Sequence, residues 1–339
     1  MSSTAVTDVV SDLRDARVGV VGLGRTGLAV IDVLASYGAR VSVFDARQEA
    51  LESLDVREGG PVVAAVAGDD ETVAHAVGQA GLGLLIVSPG VAATGPVLRA
   101  AAAAGTETWS EIELAWRLQQ ATRPEVPWIA VTGTDGKTTT VGMLSAVLEA
   151  AGLTAPAVGN IGLPAVSVVA EGRSDVLAVE LSSFQLHTTR TLSPLAAACL
   201  NVAADHLDWH GSQEAYAADK ARVYARARRA AVYNTADPAT RAMVEQADVV
   251  EGCRAIGFTL GVPGLGQLGL VEDVLIDRGW HEKRRHQGLE LATLADLAHL
   301  APGGEAARLP AHVVADALAG AALALSHDAV QAAPDAVAT

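Results

Sequence analysis

The sequence predicts an α/β protein built from two parallel-sheet modules in succession. Three observations predict it. A short apolar strand, Arg17–Val21, runs into Gly22-Leu23-Gly24-Arg25-Thr26-Gly27 and then a helical pattern. A second strand, 128–131, runs into Gly133-Thr134-Asp135-Gly136-Lys137-Thr138-Thr139 and another helical pattern. The length of 339 residues exceeds one ordinary domain of ~100–200 residues.

Composition bounds the function. Half of the residues are hydrophobic but only 4% are aromatic, so a large core must come from small aliphatic side chains. The net charge of −15 disfavours nucleic acid or an anionic membrane as a main partner. Any phosphate ligand then needs magnesium and local basic groups to offset that charge. Cys199 and Cys253 make neither a metal spacing nor a disulfide framework. Residues 1–15 carry acids and no apolar leader run. No apolar run reaches the roughly 18 residues of a membrane span, and 100–104 is too short. The expected location is cytoplasmic.

Taken in order, the strand 17–21 and the glycine turn lead to a helix over 28–37, stopped at Gly38. A strand over 41–44 closes on Asp45. A Gly-x-Gly-x-x-Gly turn with an acid about twenty residues on, within a strand–helix–strand unit, is a Rossmann-like fingerprint. It places a nucleotide-like ligand over the helix N-terminus, with Asp45 toward a ribose hydroxyl. It does not choose the nucleotide, and the glycines could serve tight packing alone. Arg47 reads either as a phosphate or base contact or as a solvated side chain. A strand over 82–87 ends in Ser88-Pro89-Gly90-Val91, a turn where open α/β sheets bind ligands. An Ala-rich helix runs to 104 with Gly105 as its stop. The next helix, 111–120, buries Ile112, Leu114, Ala115 and Leu118. Residues 119–127, with Pro124 and Pro127, read as a linker. The expected domains are 1–123 and 124–339.

The second module opens on its phosphate loop. Glycines let backbone N–H groups close round phosphate oxygens, and the helix N-terminus adds partial positive charge. Lys137 would reach the outer phosphates and the Thr138 hydroxyl would hold magnesium. The pattern is a shortened P-loop, with Val131 where the standard form has glycine. The following helix turns Val141, Leu144, Val147 and Leu148 to one face. Gly159-Asn160-Ile161-Gly162 reads as a loop between helices. A strand over 176–179 ends at Glu180, either a second magnesium ligand or a helix N-terminal acid. A strand over 196–200 precedes Asn201-Val202-Ala203-Ala204-Asp205-His206-Leu207-Asp208-Trp209-His210, a polar cluster at a strand end.

Residues 214–229 read as one helix carrying Lys220. Only Lys137, Lys220 and Lys283 are lysines; arginine fills the other basic positions. Such a bias spares lysine where guanidinium cannot substitute, which sets Lys220 against its plain reading as a surface residue. A strand over 231–234 and a turn at 236–238 follow. Residues 255–269 read as loop with short strands, 270–277 as an edge strand or hairpin arm, and 282–286 as a solvated charge run. Residues 312–325 form an Ala-rich apolar helix, and 328–339 read as a frayed end.

These stretches together resemble the Mur ligases, ATP-dependent enzymes that add amino acids to peptidoglycan precursors, and most closely the D-glutamate-adding branch. The resemblance rests on the loop 133–139; Gly159-Asn160-Ile161-Gly162-Leu163-Pro164; Glu180-Leu181-Ser182-Ser183-Phe184-Gln185-Leu186; Asn201 to Asp208; the Lys220 segment; and Ser88-Pro89-Gly90-Val91. It implies ATP bound by Gly133, Thr134, Asp135, Gly136, Lys137, Thr138 and Thr139. It implies catalytic roles for Lys137, His206 and Lys220. Two magnesium ions would be held by Thr138, Glu180, His206 and a carbamylated Lys220. UDP-N-acetylmuramoyl-L-alanine would lie on Gly22, Leu23, Gly24, Arg25, Thr26, Asp45, Arg47, Ser88, Asn160, Ser182, Ser183 and Gln185. D-glutamate is the implied amino acid, and a monomer is expected.

Two departures stand out. Family members carry a third domain where this chain reaches Thr339, which implies substrate binding with little ligation; full-rate amide formation would refute that expectation. Val313 and Asp316 stand where the family has asparagines after His312. The competing readings are a non-catalytic UDP-sugar or nucleotide-binding regulatory relative, and an NAD-linked enzyme using residues 22–45.

Overall fold

The computed structural model describes residues 9–52, 54–57, 59–92 and 94–339. The expectation about a leader falls largely on residues 1–8, outside the described residues.

The first sheet is five-stranded and parallel. Its elements in order are α1 (Val9–Leu13), β1 (Arg17–Val21), α2 (Arg25–Ser36), β2 (Arg40–Asp45), β3 (Val62–Ala67), α3 (Asp70–Gln79), β4 (Leu84–Val87), α4 (Pro96–Ala103), β5 (Glu107–Ser110) and α5 (Glu111–Thr122). The strand order is β3-β2-β1-β4-β5. β1 therefore lies between β2 and β4, and their carboxyl ends bring the turns after Val21 and Val87 side by side, with Asp45 next to them. This is the switch point at which such sheets open a crevice.

The second sheet has nine strands. Its elements are β6 (Trp128–Thr132), α6 (Lys137–Ala150), β7 (Ala157–Gly159), α7 (Ala165–Glu171), β8 (Leu177–Glu180), α8 (Ser183–His187), β9 (Ala196–Cys199), α9 (Leu207–His210), α10 (Gln213–Ala221), β10 (Ala230–Asn234), α11 (Pro238–Gln246), β11 (Arg254–Phe258), β12 (Gln267–Val271), β13 (Val274–Asp277), β14 (Leu289–Thr293), α12 (Ala311–Ala324) and α13 (Asp328–Ala332). The order is β14-β13-β12-β11-β10-β9-β6-β8-β7, parallel except for the pairs made by β13. β6 sits between β8 and β9, pairing Val131 with Glu180 and Thr132 with Cys199. The phosphate loop thus leaves the sheet with Glu180 on one side and Asn201 on the other. β6, β8 and β9 are buried along their whole length, as expected of parallel strands covered on both faces.

One apolar core runs through both modules. Helix α5 packs on α7, and Trp116 meets Trp128 edge to face at 5.4 Å between ring centroids. Burying a large apolar side chain such as Trp128 is worth ~1.5–3 kcal/mol, so this shared core holds the sheets together. Polar contacts reinforce it. Ser110 Oγ lies 2.8 Å from Thr189 Oγ1. Glu111 accepts from Val166 N at the start of α7 at 2.7 Å. Glu113 accepts from the N–H groups of Arg190 and Thr191 at 2.7 and 3.0 Å.

Several sequence expectations are corrected. The helix read over 214–229 ends at Ala221, tightens to a 3₁₀ turn over Arg222–Tyr224 and breaks at Arg226, whose φ is 55°. The cause is Tyr224: its hydroxyl accepts from Cys199 N at 2.8 Å and donates to Val232 O at 2.6 Å, turning the chain into β10. Residues 328–339 are not frayed, because Val330, Ala336 and Val337 are buried in the second core. A strand, β7, precedes the loop at 159–162 rather than a helix. Helix α5 continues to Thr122, shortening the linker. Residues 270–277 cross the β12–β13 hairpin instead of forming one strand.

Candidate active site

The phosphate loop is built from its glycines. Gly133 and Gly136 have φ of 154° and 83°, and the N-cap Gly136 carries no side-chain cap on α6, leaving that helix N-terminus open. Asn201 braces the loop from β9. Its Oδ1 accepts from Thr134 N and Asp135 N at 2.9 Å each, and its Nδ2 donates to Asp135 O at 3.1 Å. Tyr216 adds its hydroxyl, 3.1 Å from Thr134 Oγ1. The sequence alone points to neither side chain, although Asn201 follows an apolar strand closely.

The two lysines converge. Lys137 donates to the carbonyls of Gly133 and Thr134 at 2.9 and 2.7 Å. Lys220 donates to the same Gly133 carbonyl at 2.7 Å. Lys220 is 2% exposed and stacked over the Tyr216 ring, so its surface reading is overturned. Burial pushes its ammonium down to about 8, and the charge of Lys137 acts in the same direction. Thr138 Oγ1 donates to Glu180 Oε2 at 2.9 Å, and Asn160 Nδ2 donates to Glu180 Oε1 at 2.8 Å. Glu180 is 1% exposed and lies outside the first turn of α8, so it is not a helix N-terminal acid.

His206 is placed differently. Its side chain is half exposed, beside Asp205 at 3.3 Å and against the Phe184 ring at 4.8 Å. A run of ring contacts from Phe184 through His210 and Tyr216 connects it to Lys220. Among the described residues no three His, Cys, Asp or Glu side chains converge as a metal set. The oxygen donors that do meet are Thr138 and Glu180, a hard pair suited to magnesium.

The segment after Glu180 is a frame of mutual bonds. Ser182 caps α8 reciprocally with Gln185, whose Oε1 accepts from Ser182 N at 2.9 Å. Ser183 Oγ lies 3.0 Å from His210 Nε2, and His210 Nδ1 lies 2.9 Å from Asp219 Oδ2. His187 shares Asp219, at 2.9 and 3.0 Å from its two oxygens. Burial opposes the charge on Asp219, but the bonds from His187 and His210 hold its carboxyl below the ordinary value. Burial is also the main cause lowering His210. This relay was not found in the sequence, since its members are spread over 183–219.

At the first sheet, a cleft of about 450 Å³ is lined by Gly22, Leu23, Gly24, Arg25, Thr26, Asp45, Arg47 and Ser88, among others. The glycines of the turn divide by their surroundings. A Cβ on Gly27 would meet Gly22 O at 2.0 Å, so Gly27 serves packing, whereas Gly24 faces open space. Asp45 braces the turn, accepting from Leu23 N at 2.6 Å and Arg47 N at 2.9 Å. Burial opposes its charge, and these bonds outweigh burial and lower its pKa. The Arg47 side chain is largely exposed, 3.3 Å from Asp45. Ser88 Oγ donates to Gly22 O at 3.2 Å. Arg25 crosses to the second module and donates to Gly162 O. A small cavity between the sheets, lined by Thr26, Ser88, Phe184 and Gln185, puts side chains from both sites on one wall.

The chain matches two families in order: "Mur ligase MurD-like, N-terminal domain" over residues 16–110 and "Mur ligase middle domain" over 131–261. It is 47% identical over 317 residues to UDP-N-acetylmuramoylalanine--D-glutamate ligase of Streptomyces coelicolor, covering 93% of this chain and 64% of that protein. It is 47% identical over 337 residues to the protein of the same name from Thermobifida fusca, covering 97% and 67%. The chain therefore spans about two thirds of the length of these curated relatives. A solved UDP-N-acetylmuramate:L-alanyl-gamma-D-glutamyl-meso-diaminopimelate ligase from Neisseria shares the fold, with a TM-score of 0.53 at 19% identity, covering 94% of this chain and 98% of that one. Two family matches in chain order and a close relative spanned over 67% of its length give one assignment: the chain belongs to the Mur ligase family.

Proposed function

We propose that this chain supplies the UDP-substrate and ATP sites of a ligase that joins D-glutamate to UDP-N-acetylmuramoyl-L-alanine, forming ADP and phosphate. The observation that carries the reading is convergence: Lys137 and Lys220 share the Gly133 carbonyl while Thr138 and Glu180 bond each other beside them.

In this reading the uridine nucleotide occupies the first cleft, with Asp45 and the 22–24 turn holding it. The muramoyl arm reaches Ser88, then Asn160, Ser182, Ser183 and Gln185 on the second module. ATP lies on the loop 133–139, its phosphates over the open end of α6. Magnesium, when bound, neutralises phosphate charge as the substrate carboxylate attacks the γ-phosphorus. Lys137 orients the outer phosphates, Thr138 and Glu180 would present oxygens to one magnesium, and a carbamate on Lys220 would present an oxygen to a second, while His206 lies apart from it, beyond the rings of Phe184, His210 and Tyr216. The carbamate forms when the neutral Lys220 amine attacks carbon dioxide, making an N–C bond and releasing a proton. The lowered pKa of Lys220 supplies that neutral amine at modest pH. The attack on the γ-phosphorus releases ADP and leaves an acyl phosphate; the amine of D-glutamate then attacks its carbonyl carbon, forming the amide C–N bond, expelling phosphate and giving up a proton. Such a transfer needs positioning and charge neutralisation more than covalent help.

The test is a binding titration with UDP-N-acetylmuramoyl-L-alanine, Mg–ATP and NAD in parallel. Binding of the first two without NAD supports the reading. Failure of the UDP-substrate to bind overturns it, and NAD binding in its place supports an oxidoreductase. A phosphate-release assay with D-glutamate then separates a ligase from a non-catalytic binding relative.

A further inference from the structure

We propose that the Asp316 carboxylate acts as an electrostatic brake on the phosphate loop, holding nucleotide affinity below what the loop alone would give. The inference rests on the reading of residues 133–139 as an ATP loop and names a residue that tunes it.

Asp316 lies on α12, which packs along α6, and it is 6% exposed. A Cβ built on Gly136 would stand 2.4 Å from Asp316 Oδ1 and 3.1 Å from its Cγ. The carboxylate is therefore seated directly on the loop glycine, where no larger residue fits. Its Oδ2 is buried without a hydrogen-bond partner. Gly136 is the N-cap of a 14-residue helix, and no side chain caps that end. The N-terminus of such a helix favours an anion. A fixed carboxylate beside it draws on the same field and repels a second anion placed there.

The charges acting on Asp316 are His312, one turn earlier on α12, which favours the ionised form, and Asp135 in the loop, which opposes it. Thr140 faces it from α6. Burial pushes the carboxyl up to about 6, so it is charged at neutral pH and discharges in mild acid.

The test measures Mg–ADP affinity by calorimetry for the wild type, Asp316→Asn and Asp316→Ala between pH 5.5 and 8. Both variants should bind about tenfold more tightly at pH 7.5, the size expected of one screened charge near a phosphate. The alanine variant separates loss of charge from the new amide donor. The advantage should shrink toward pH 5.5, where wild-type Asp316 is mostly protonated; the nucleotide's own titration cancels in the ratio. Unchanged or weaker binding by both variants, or a ratio independent of pH, overturns the brake. Weaker binding would instead make Asp316 a cation or nucleotide ligand. If no form binds Mg–ADP, the phosphate-loop reading itself fails and this inference falls with it.

Discussion

Lys220 Nζ donates to the carbonyl oxygen of Gly133 at 2.7 Å, joining residues 87 apart in sequence. The bond places a buried, easily neutralised amine against the phosphate loop. Labelled ¹³C-bicarbonate should therefore give a carbamate resonance in the wild type that is absent in Lys220→Arg. The signal should strengthen as pH rises through about 8, because the amine loses its proton there. A spectrum unchanged by the substitution would show that Lys220 carries no carbamate.

Thr138→Ala removes the hydroxyl that meets Glu180. Magnesium-dependent nucleotide affinity should fall at least about tenfold, the scale of losses around metal ligands. Affinity measured with excess chelator should change little. Calorimetry with and without magnesium reads both.

Asn201→Ala removes the side-chain acceptor of Asp135 N and one of the two acceptors of Thr134 N, which keeps the Asn201 carbonyl at 3.1 Å. Losing such hydrogen bonds at an exposed loop costs about 0.5–1.5 kcal/mol. The loss should appear as weaker Mg–ATP binding with UDP-substrate binding retained. Asp45→Asn should do the reverse, since one amide oxygen cannot serve both Leu23 N and Arg47 N. Titrating each variant with both ligands checks the pair.

Glu111 joins the modules, yet its Oε2 has no partner. Burial raises its carboxyl to about 7 against an ordinary value of 4.5. The folded state thus binds more protons than the unfolded state between these values, and this group makes stability fall as pH rises across that window. Glu111→Gln should stabilise the fold at pH 8 by about 3 kcal/mol, raising the melting temperature. The difference should fade toward pH 4.5, as thermal melts at the two pH values would show.

Much of this architecture was legible in the chain. β1, β2, β6, β8, β9 and β10 are central or fully buried, so they read as apolar runs closed by glycine or polar turns. β3 escaped because it is an edge strand whose Ala-rich faces are partly exposed. β5, at the other edge of that sheet, is four residues and opens on Glu107-Thr108, and β7 has three residues at an edge of the second sheet. α11 was hidden behind Asp237-Pro238, read as a turn; Asp237 in fact caps the helix by accepting from Ala239 N. The loop, Glu180 and Lys220 were legible because each residue type has a chemical reason to stand there. The Asp219 relay and the seat of Asp316 on Gly136 were not, because they depend on which helices pack together.

In the proposed function, Lys137, Thr138, Glu180 and Lys220 bound one site for a nucleoside triphosphate and its magnesium. Titration of the 339-residue chain with a non-hydrolysable Mg–ATP analogue tests it most directly. One molecule should bind per chain, with affinity lost in Lys137→Ala and strongly weakened by removing magnesium. Absence of binding by the wild type, or binding indifferent to both changes, would rule out a shared nucleotide and magnesium site.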